Sequence, residues 1–115
     1  MKKQNIVKEN KDFNSIISKR IGIKNYHFFL YYQKNDLNRY RFGISVGTKI
    51  GNAVVRNKLK RQIRTIIDNN KKLYQNDKDY IIIIRKSCLE CSYQDLEKSF
   101  VHIMKKINEK EKKND

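Results

Sequence analysis

The spacing of apolar residues over the first half of the chain predicts one helix and two strands. Residues 10–19 have helical periodicity, and Asn10 is a good N-cap for that helix. Apolar side chains alternate over 26–32 and again over 40–46, with a polar loop over 33–38 between them. We expect these two strands to pair directly as an antiparallel hairpin with one apolar face.

The second half of the chain predicts two helices separated by a buried strand. Tyr80–Ile84 is apolar, and β-branched after its first residue, which is typical of a central strand covered on both faces. Ser92 resembles an N-cap, and apolar residues from Leu96 to Ile107 recur at helical spacing. The strand-helix-strand passage over 40–84 should make its two strands parallel. The predicted fold class is therefore α+β, an α/β sandwich with helices against one sheet.

The helix between those strands is both basic and amphipathic, with Asn52 as its N-cap. With about 100° per residue, one arc of this helix is apolar: Val55, Leu59, Ile63, Ile66 and Ile67. An adjacent arc carries cations and one amide: Arg56, Asn57, Lys60, Arg61 and Arg64. Positive charges recur at i, i+4 on this arc, whereas a helix that only faces solvent usually alternates Glu with Lys at that spacing. Neighbouring cations repel one another, and a phosphate backbone bound between them turns this repulsion into a net attraction. The pattern predicts an RNA or DNA surface.

The overall charge indicates the same class of partner. The chain has 115 residues, which suits one domain over 1–115, and it carries 27 Lys and Arg against 12 Asp and Glu, a net charge of +15. No acidic residue occurs over 37–67, so the positive field is local. It favours nucleic acid first and an anionic membrane surface second. We expect residues 1–7 and 109–115 to be flexible tails.

Membrane insertion and export are not expected. No apolar run approaches the roughly 20 residues of a membrane helix. Polar and charged residues interrupt the first ten positions, where a signal peptide would have its apolar region. With two cysteines and no export signal, we expect a cytoplasmic protein with no membrane partner.

Aromatic residues predict a cleft on one face of the sheet. We expect three pairs of residues on the same side of the sheet. They are the aromatics Phe29 and Tyr31 of one strand, the polar residues Arg41 and Ser45 of the next, and the apolar residues Phe13 and Ile17 of the first helix. A cleft with aromatic rings at its base and Arg at its rim would bind a single strand of nucleic acid, with base stacking worth about 1–3 kcal/mol per base. The alternative is that the aromatics only pack under the first helix.

Self-sufficient catalysis is not supported by the residues. Cys88 and Cys91 have the spacing of a redox motif or half a zinc site, but a structural zinc site needs four ligands and no second pair exists. Neither His27 nor His102 has a nucleophile or a carboxylate at a sequence spacing that is typical of a catalytic pair. We therefore predict no catalytic residue and no metal site in the protein itself.

Two segments carry a family resemblance. Arg41-Phe-Gly-Ile-Ser45 and Lys49-Ile-Gly-Asn-Ala-Val-Val-Arg-Asn-Lys-Leu-Lys-Arg-Gln-Ile-Arg64 closely resemble the protein subunit of bacterial ribonuclease P. The resemblance extends over most of the chain, from about Lys8 through the last helix. It implies an endoribonuclease whose RNA subunit performs the Mg²⁺-dependent cleavage that removes the 5′ leader of precursor tRNA. The small basic protein would bind that RNA, grip the leader and strengthen the binding of Mg²⁺, which is held mainly by RNA.

The resemblance implies two sets of binding residues. Facing the RNA subunit and its metal-rich region would be Lys49, Asn52, Arg56, Asn57, Lys58, Lys60, Arg61 and Arg64. Together with the cleft inferred above, it assigns to the leader Phe13, Ile17, Phe29, Tyr31, Arg41, Ser45, Arg85 and Lys86. The expected partners are ribonuclease P RNA and precursor tRNA, with the protein a monomer in a 1:1 complex with RNA.

The family fold implied is α-β-β-β-α-β-α, with a mixed four-stranded sheet like that of ribosomal protein S5 domain 2. It has an additional short strand near 21–24 and a left-handed crossover around the basic helix, although crossovers are right-handed in about 98% of cases. Two other functions stay open from the residues alone. One is a ribosomal or general RNA-binding protein that uses the same helix; the other is a thiol oxidoreductase built on Cys88 and Cys91.

Overall fold

The computed structural model describes residues 1–113 and contains three helices and four strands. In chain order they are α1 (Asn10–Ser18), β1 (Gly22–Lys24), β2 (Phe28–Lys34), β3 (Arg41–Ser45), α2 (Ala53–Asn69), β4 (Lys78–Ile84) and α3 (Tyr93–Lys113). Short 3₁₀ turns occupy 3–5, 48–50, 71–73 and 86–90. This order confirms the predicted α+β fold with a mixed four-stranded sheet. It includes the short strand near 21–24 that the apolar pattern alone did not show.

The four strands lie in the order β1-β2-β4-β3. β4 pairs antiparallel with β2 and parallel with β3, which confirms both its central position and the predicted parallel pair. The expectation that the strands over 26–32 and 40–46 pair directly is wrong, because β4 lies between them. The physical reason is the all-apolar run of β4, which is buried on both faces and takes a neighbour on each edge.

The sheet has a core on each face. On one face Phe28, Leu30, Phe42 and Tyr80 pack with the apolar stripes of α2 and α3 in a single large cluster. On the other face a smaller cluster of Val7, Ile16 and Ile81 lies beneath α1. Because successive side chains of a strand alternate between faces, β2 and β4 contribute to both clusters, whereas β1 and β3 contribute apolar side chains only to the larger one. The larger core buries the apolar stripe of α2, and the smaller one leaves part of its sheet face open.

Helix α2 begins as predicted. The side chain of Asn52 accepts a hydrogen bond from the backbone N–H of Val55 at 3.0 Å, which satisfies one of the free donors of the first turn. Leu59, Ile63, Ile66 and Ile67 are buried, and Val55 is half-buried against the same cluster. The apolar arc predicted from helical periodicity is therefore confirmed, and the cationic arc is turned to solvent.

Both ends of the described chain contact the rest of the fold, and the flexible tails expected over 1–7 and 109–115 stay a prediction. At the start, the amino group of Met1 lies 3.0 Å from Asp68, Ile6 bridges to Phe42, and Val7 is buried. At the other end, residues 109–113 continue α3, and Glu111 forms an ion pair with Lys78 at 3.2 Å. Apolar side chains in the first segment and this ion pair in the second are the contacts that charge composition alone did not reveal. Residues 114 and 115 lie outside the described part of the chain. No helix within residues 1–113 combines the length and apolar character that crossing a bilayer requires.

Candidate nucleic-acid interface

The outer face of α2 is a surface of uncompensated positive charge. Asn57, Lys58, Arg61 and Arg64 are exposed, while Arg56 and Lys60 are half-buried. Within residues 1–113, none of these cations forms an ion pair. Asp68, the only acid of the helix, is bound to the amino group of Met1 instead. We call the six residues Arg56, Asn57, Lys58, Lys60, Arg61 and Arg64 the α2 basic face.

Two further predicted residues lie at the start of this helix. Lys49 is exposed in the 3₁₀ turn over 48–50, just before α2. The side-chain oxygen of Asn52 is occupied by its cap hydrogen bond, so its amide group is the part that faces solvent. The Nε atom of Arg56 is buried and has no hydrogen-bond partner among the described residues.

The predicted cleft lies on the opposite face of the sheet. In the strand register, Phe29, Ile83 and Ser45 are neighbours, and so are Tyr31, Ile81 and Gly43. Residues opposite one another in a sheet have their side chains on the same face. The structure therefore brings Phe29, Tyr31 and Ser45 together on the face that α1 partly covers.

Gly43 explains how α1 closes over this face. A Cβ atom on Gly43 would lie 2.7 Å from the ring of Phe13 and 2.7 Å from the Cδ1 of Ile81, both closer than real Cβ atoms come. Only glycine therefore allows Phe13 to lie directly on the sheet. Phe13, Ile17 and Tyr31 are each half-buried against the small core. Part of each side chain packs under the helix and part stays open to solvent.

A basic residue covers one end of the cleft. The guanidinium carbon of Arg85 lies 4.9 Å from the centroid of the Phe29 ring, a cation–π contact. Its Nη1 donates to the backbone carbonyl of Asn25 at 2.6 Å, which fixes the side chain over the ring. Lys86 follows in the 3₁₀ turn over 86–90 and is exposed. Both cations predicted near the leader path are thus at the same end of the sheet as Phe29.

Arg41 lies on the predicted face, but it is not the free cation that was expected. Its Nε and Nη2 donate to the two carboxylate oxygens of Asp79 at 2.8 Å and 2.7 Å. Asp12 of α1 is 3.7 Å from Nη1. Two acids therefore neutralise the charge that the sequence pattern assigned to RNA. Neither contact is visible in the sequence, because Asp79 is distant in the chain and Asp12 belongs to another element.

Asp79 is a structural carboxylate that the sequence pattern missed. It is fully buried, and burial alone would raise its pKa; hydrogen bonds from Arg41, Asn35 and Gln33 outweigh this, so its pKa lies below the ordinary value. The same hydrogen bond and charge raise the pKa of Arg41, against the effect of burial. This bidentate pair joins the parallel neighbours β3 and β4 at one end of the cleft.

The surroundings of the two cysteines do not favour a reactive thiolate. Both are free thiols, and Cys88 is buried, with its Sγ donating to the carbonyl of His27 at 3.2 Å. Burial raises the pKa of Cys88 to about 12, and burial also raises the pKa of Cys91. A thiol that stays protonated is a poor nucleophile. This geometry disfavours the thiol oxidoreductase interpretation.

Replacing both cysteines tests that conclusion directly. We expect the double variant C88S/C91S to fold and to bind RNA as tightly as the unaltered protein, because serine can donate to the same His27 carbonyl. The measurement is RNA affinity with and without a thiol reductant. Affinity that is lost in the variant, or that follows the redox state of the unaltered protein, would show that the thiols take part.

The histidines have structural or surface positions. The Nδ1 of His27 lies 2.9 Å from the Oγ of Ser99, which also accepts a hydrogen bond from Asn25 at 2.9 Å. His102 is exposed on α3. Within residues 1–113, no group of three or more His, Cys, Asp or Glu side chains is arranged to hold a metal ion. The α2 basic face and the cleft present cations, amides and aromatic rings.

Fold and surface together define a small, strongly basic α+β protein with an exposed cationic helix on one side of the sheet and an aromatic cleft on the other. The ribonuclease P family model matches residues 1–108, and the chain belongs to the ribonuclease P protein family. A relative from Mycoplasma mycoides subsp. mycoides, called ribonuclease P protein component, is 47% identical over 108 residues, which are 93% of this chain and 99% of that protein.

Solved structures agree with the family assignment. A structure of a Staphylococcus aureus RNase P protein mutant with defective mRNA degradation activity matches with a TM-score of 0.85 and 34% identity, covering 92% of this chain and 90% of that one. The RNase P protein from Thermotoga maritima matches with a TM-score of 0.79 and 27% identity, over 87% of this chain and 94% of that one. The order of helices and strands described above is thus that of the family.

Proposed function

We propose that this chain is the protein subunit of a ribonuclease P holoenzyme, in which it binds the RNA subunit and the 5′ leader of precursor tRNA. The observation that carries the proposal is the α2 basic face. Its cations are unpaired within the described chain and are anchored by a buried apolar arc. The helix that carries these cations is already folded, so binding orders their side chains but not the backbone, and each cation can neutralise a phosphate.

The second contribution is the cleft. Phe29 and Tyr31 present half-buried rings on one sheet face, and Arg85 lies over the first of them. Bases of a single strand can stack on such rings while its phosphates meet neighbouring cations. The 5′ leader is a single-stranded segment that precursor tRNA has and mature tRNA lacks, so we assign this cleft to the leader. Ser45 and Lys86 lie at the same end and would contact the strand there.

Mg²⁺ is assigned to the RNA and not to this chain. Mg²⁺ takes oxygen ligands from carboxylates and phosphates, whereas the α2 basic face has only cations and an amide. The described residues therefore do not fit a Mg²⁺ site. The protein would instead lower the repulsion between the phosphates of the RNA subunit and those of the substrate, and so reduce the bulk Mg²⁺ concentration that the complex requires. We propose a 1:1 complex of one protein monomer with one RNA.

Reconstitution tests this function. The protein is mixed with a bacterial ribonuclease P RNA at low Mg²⁺, and removal of the 5′ leader from precursor tRNA is assayed. We expect the protein to stimulate cleavage, and we expect its affinity for the RNA subunit to fall with salt, with a log–log slope on the order of −4 or steeper for five or more phosphates.

Two results would count against the proposal. Equal binding of precursor tRNA and mature tRNA by the complex would favour a general RNA-binding protein. A nearly flat response to salt would show that the α2 basic face does not meet a phosphate backbone.

A further inference from the structure

A groove of about 580 Å³ runs along the edge strand β1, next to the C-terminal end of α1. It shares Ile17, Phe29 and Tyr31 with the aromatic cleft, and it adds two cations, Arg20 and Lys24, that the sequence pattern did not single out. None of the residues that line it is acidic. The groove therefore extends the cleft to the edge of the sheet, and positive charge lines the extension.

The backbone of Arg20 is in an unusual conformation for its residue type. Its φ is 54°, in the left-handed region where the Cβ of an L-residue is crowded and which glycine adopts freely. Its N–H donates to the carbonyl of Ile17 at 3.0 Å and ends α1, a task that needs no side chain. The side chain is exposed and forms no ion pair with any residue in 1–113. The fold thus gives no internal reason for an arginine here, which points to a partner outside the chain.

Lys24 lines the same groove from the edge strand β1. It pairs in register with Phe29, and Gly22 pairs with Tyr31, so Lys24 lies on the cleft face of the sheet. A Cβ atom on Gly22 would clash with the carbonyl oxygen of Leu30, so glycine is required and no side chain blocks the floor between Lys24 and Tyr31. Lys24 is exposed and has no ion pair within the described chain.

We propose that Arg20 and Lys24 bind phosphates of the single-stranded leader while its bases lie against Phe29 and Tyr31. The proposal rests on the function proposed above and adds an outer cationic side to the cleft. Two cations and two aromatic rings around one acid-free groove are the combination that a single RNA strand requires, since the strand presents phosphates on one side and bases on the other.

The test compares the reconstituted protein–RNA complex containing R20G/K24A with the unaltered complex. We expect affinity for precursor tRNA with a long single-stranded leader to fall about tenfold, which corresponds to two exposed charge contacts. We expect the log–log salt slope to become shallower by about 0.7 for each lost phosphate contact. Affinity for mature tRNA should not change. Because glycine readily adopts the left-handed backbone conformation of position 20, the melting temperature of the variant should not fall. Asparagine also tolerates this conformation, so R20N/K24A provides a second test.

The matched control is K19A. Lys19 is adjacent to Arg20 and carries the same charge, but its Nζ donates to Gln33 at 3.0 Å and it does not line the groove. An equal loss of leader affinity in K19A would show a general effect of charge and overturn the proposal. So would unchanged leader affinity in both double variants, or an equal loss for mature tRNA. If the unaltered complex fails to remove leaders, the proposed function itself fails, which is a different outcome.

Discussion

Replacing Arg56, Arg61 and Arg64 together by alanine is expected to weaken binding of the RNA subunit by about 100-fold or more at moderate salt, taking more than 1 kcal/mol for each charged hydrogen bond lost. The log–log salt slope should become shallower by about 2.7, since each phosphate contact to a helical RNA contributes about 0.9. The Mg²⁺ concentration needed for leader removal should rise. Filter binding across a salt series, followed by cleavage assays across a Mg²⁺ series, measures all three effects.

The control for this triple variant removes the same charge from another surface. Lys106, Lys110 and Lys112 are exposed on α3, and the first two line a groove with β1 that includes no residue of the α2 basic face. We expect K106A/K110A/K112A to assemble with RNA almost normally. Equal losses in the two triple variants would mean that net charge alone drives assembly and that the α2 basic face has no special role.

The second large effect is expected on stability and comes from Asp79→Asn. The change leaves the guanidinium of Arg41, only 15% exposed, without its bidentate carboxylate partner. Breaking a buried ion pair by removing one partner costs about 3–5 kcal/mol, and we expect the lower end because Asp12 remains near Arg41. Urea unfolding followed by circular dichroism would measure this as a lower midpoint with an unchanged m-value.

The pH dependence of unfolding provides an independent check on the same pair. The pKa of Asp79 is below its ordinary value of 3.8 in the folded protein, so its contribution to the free energy of unfolding is fully present above about pH 4. That contribution is lost as pH falls through the folded pKa. The D79N variant should therefore lose less stability than the unaltered protein between about pH 4 and pH 2. The double variant R41Q/D79N, which removes both charges, should be more stable than D79N alone; if it is not, the pair is not the cause.

Most of the elements could be predicted because their signals are local. Helical periodicity placed Leu59 and Ile63 on the buried side of α2, and the run Tyr80–Ile84 identified the central strand without any knowledge of its neighbours. Strand pairing is different, because it depends on which distant segment covers an edge. The two predicted strands flank a polar loop, which suggested a hairpin, but β4 takes the place between them. The left-handed crossover around α2 stays a prediction of the family resemblance.

The candidate site divides in the same way. The α2 basic face lies on one helix, so helical periodicity predicted five of its six residues, and Lys58 came from the family resemblance. The cleft depends on residues from three strands and a helix. The sequence could therefore suggest Phe29 and Tyr31, but not which neighbouring cations are paired with acids. Arg41, which was predicted to be a cation without an acidic partner, is paired with Asp79. Arg20 and Lys24, which no sequence motif includes, line the groove.

By itself, the sequence determined the basic amphipathic helix, the family and the α+β class, because amphipathic periodicity, charge and a long ordered motif are properties of contiguous residues. Only the tertiary structure decided which cations are available to a partner. A cation's availability depends on the acids that folding brings to it across the sheet, and these lie far away along the chain. For Arg41 that acid is Asp79, on the neighbouring strand. For Arg20 and Lys24, the described chain supplies none.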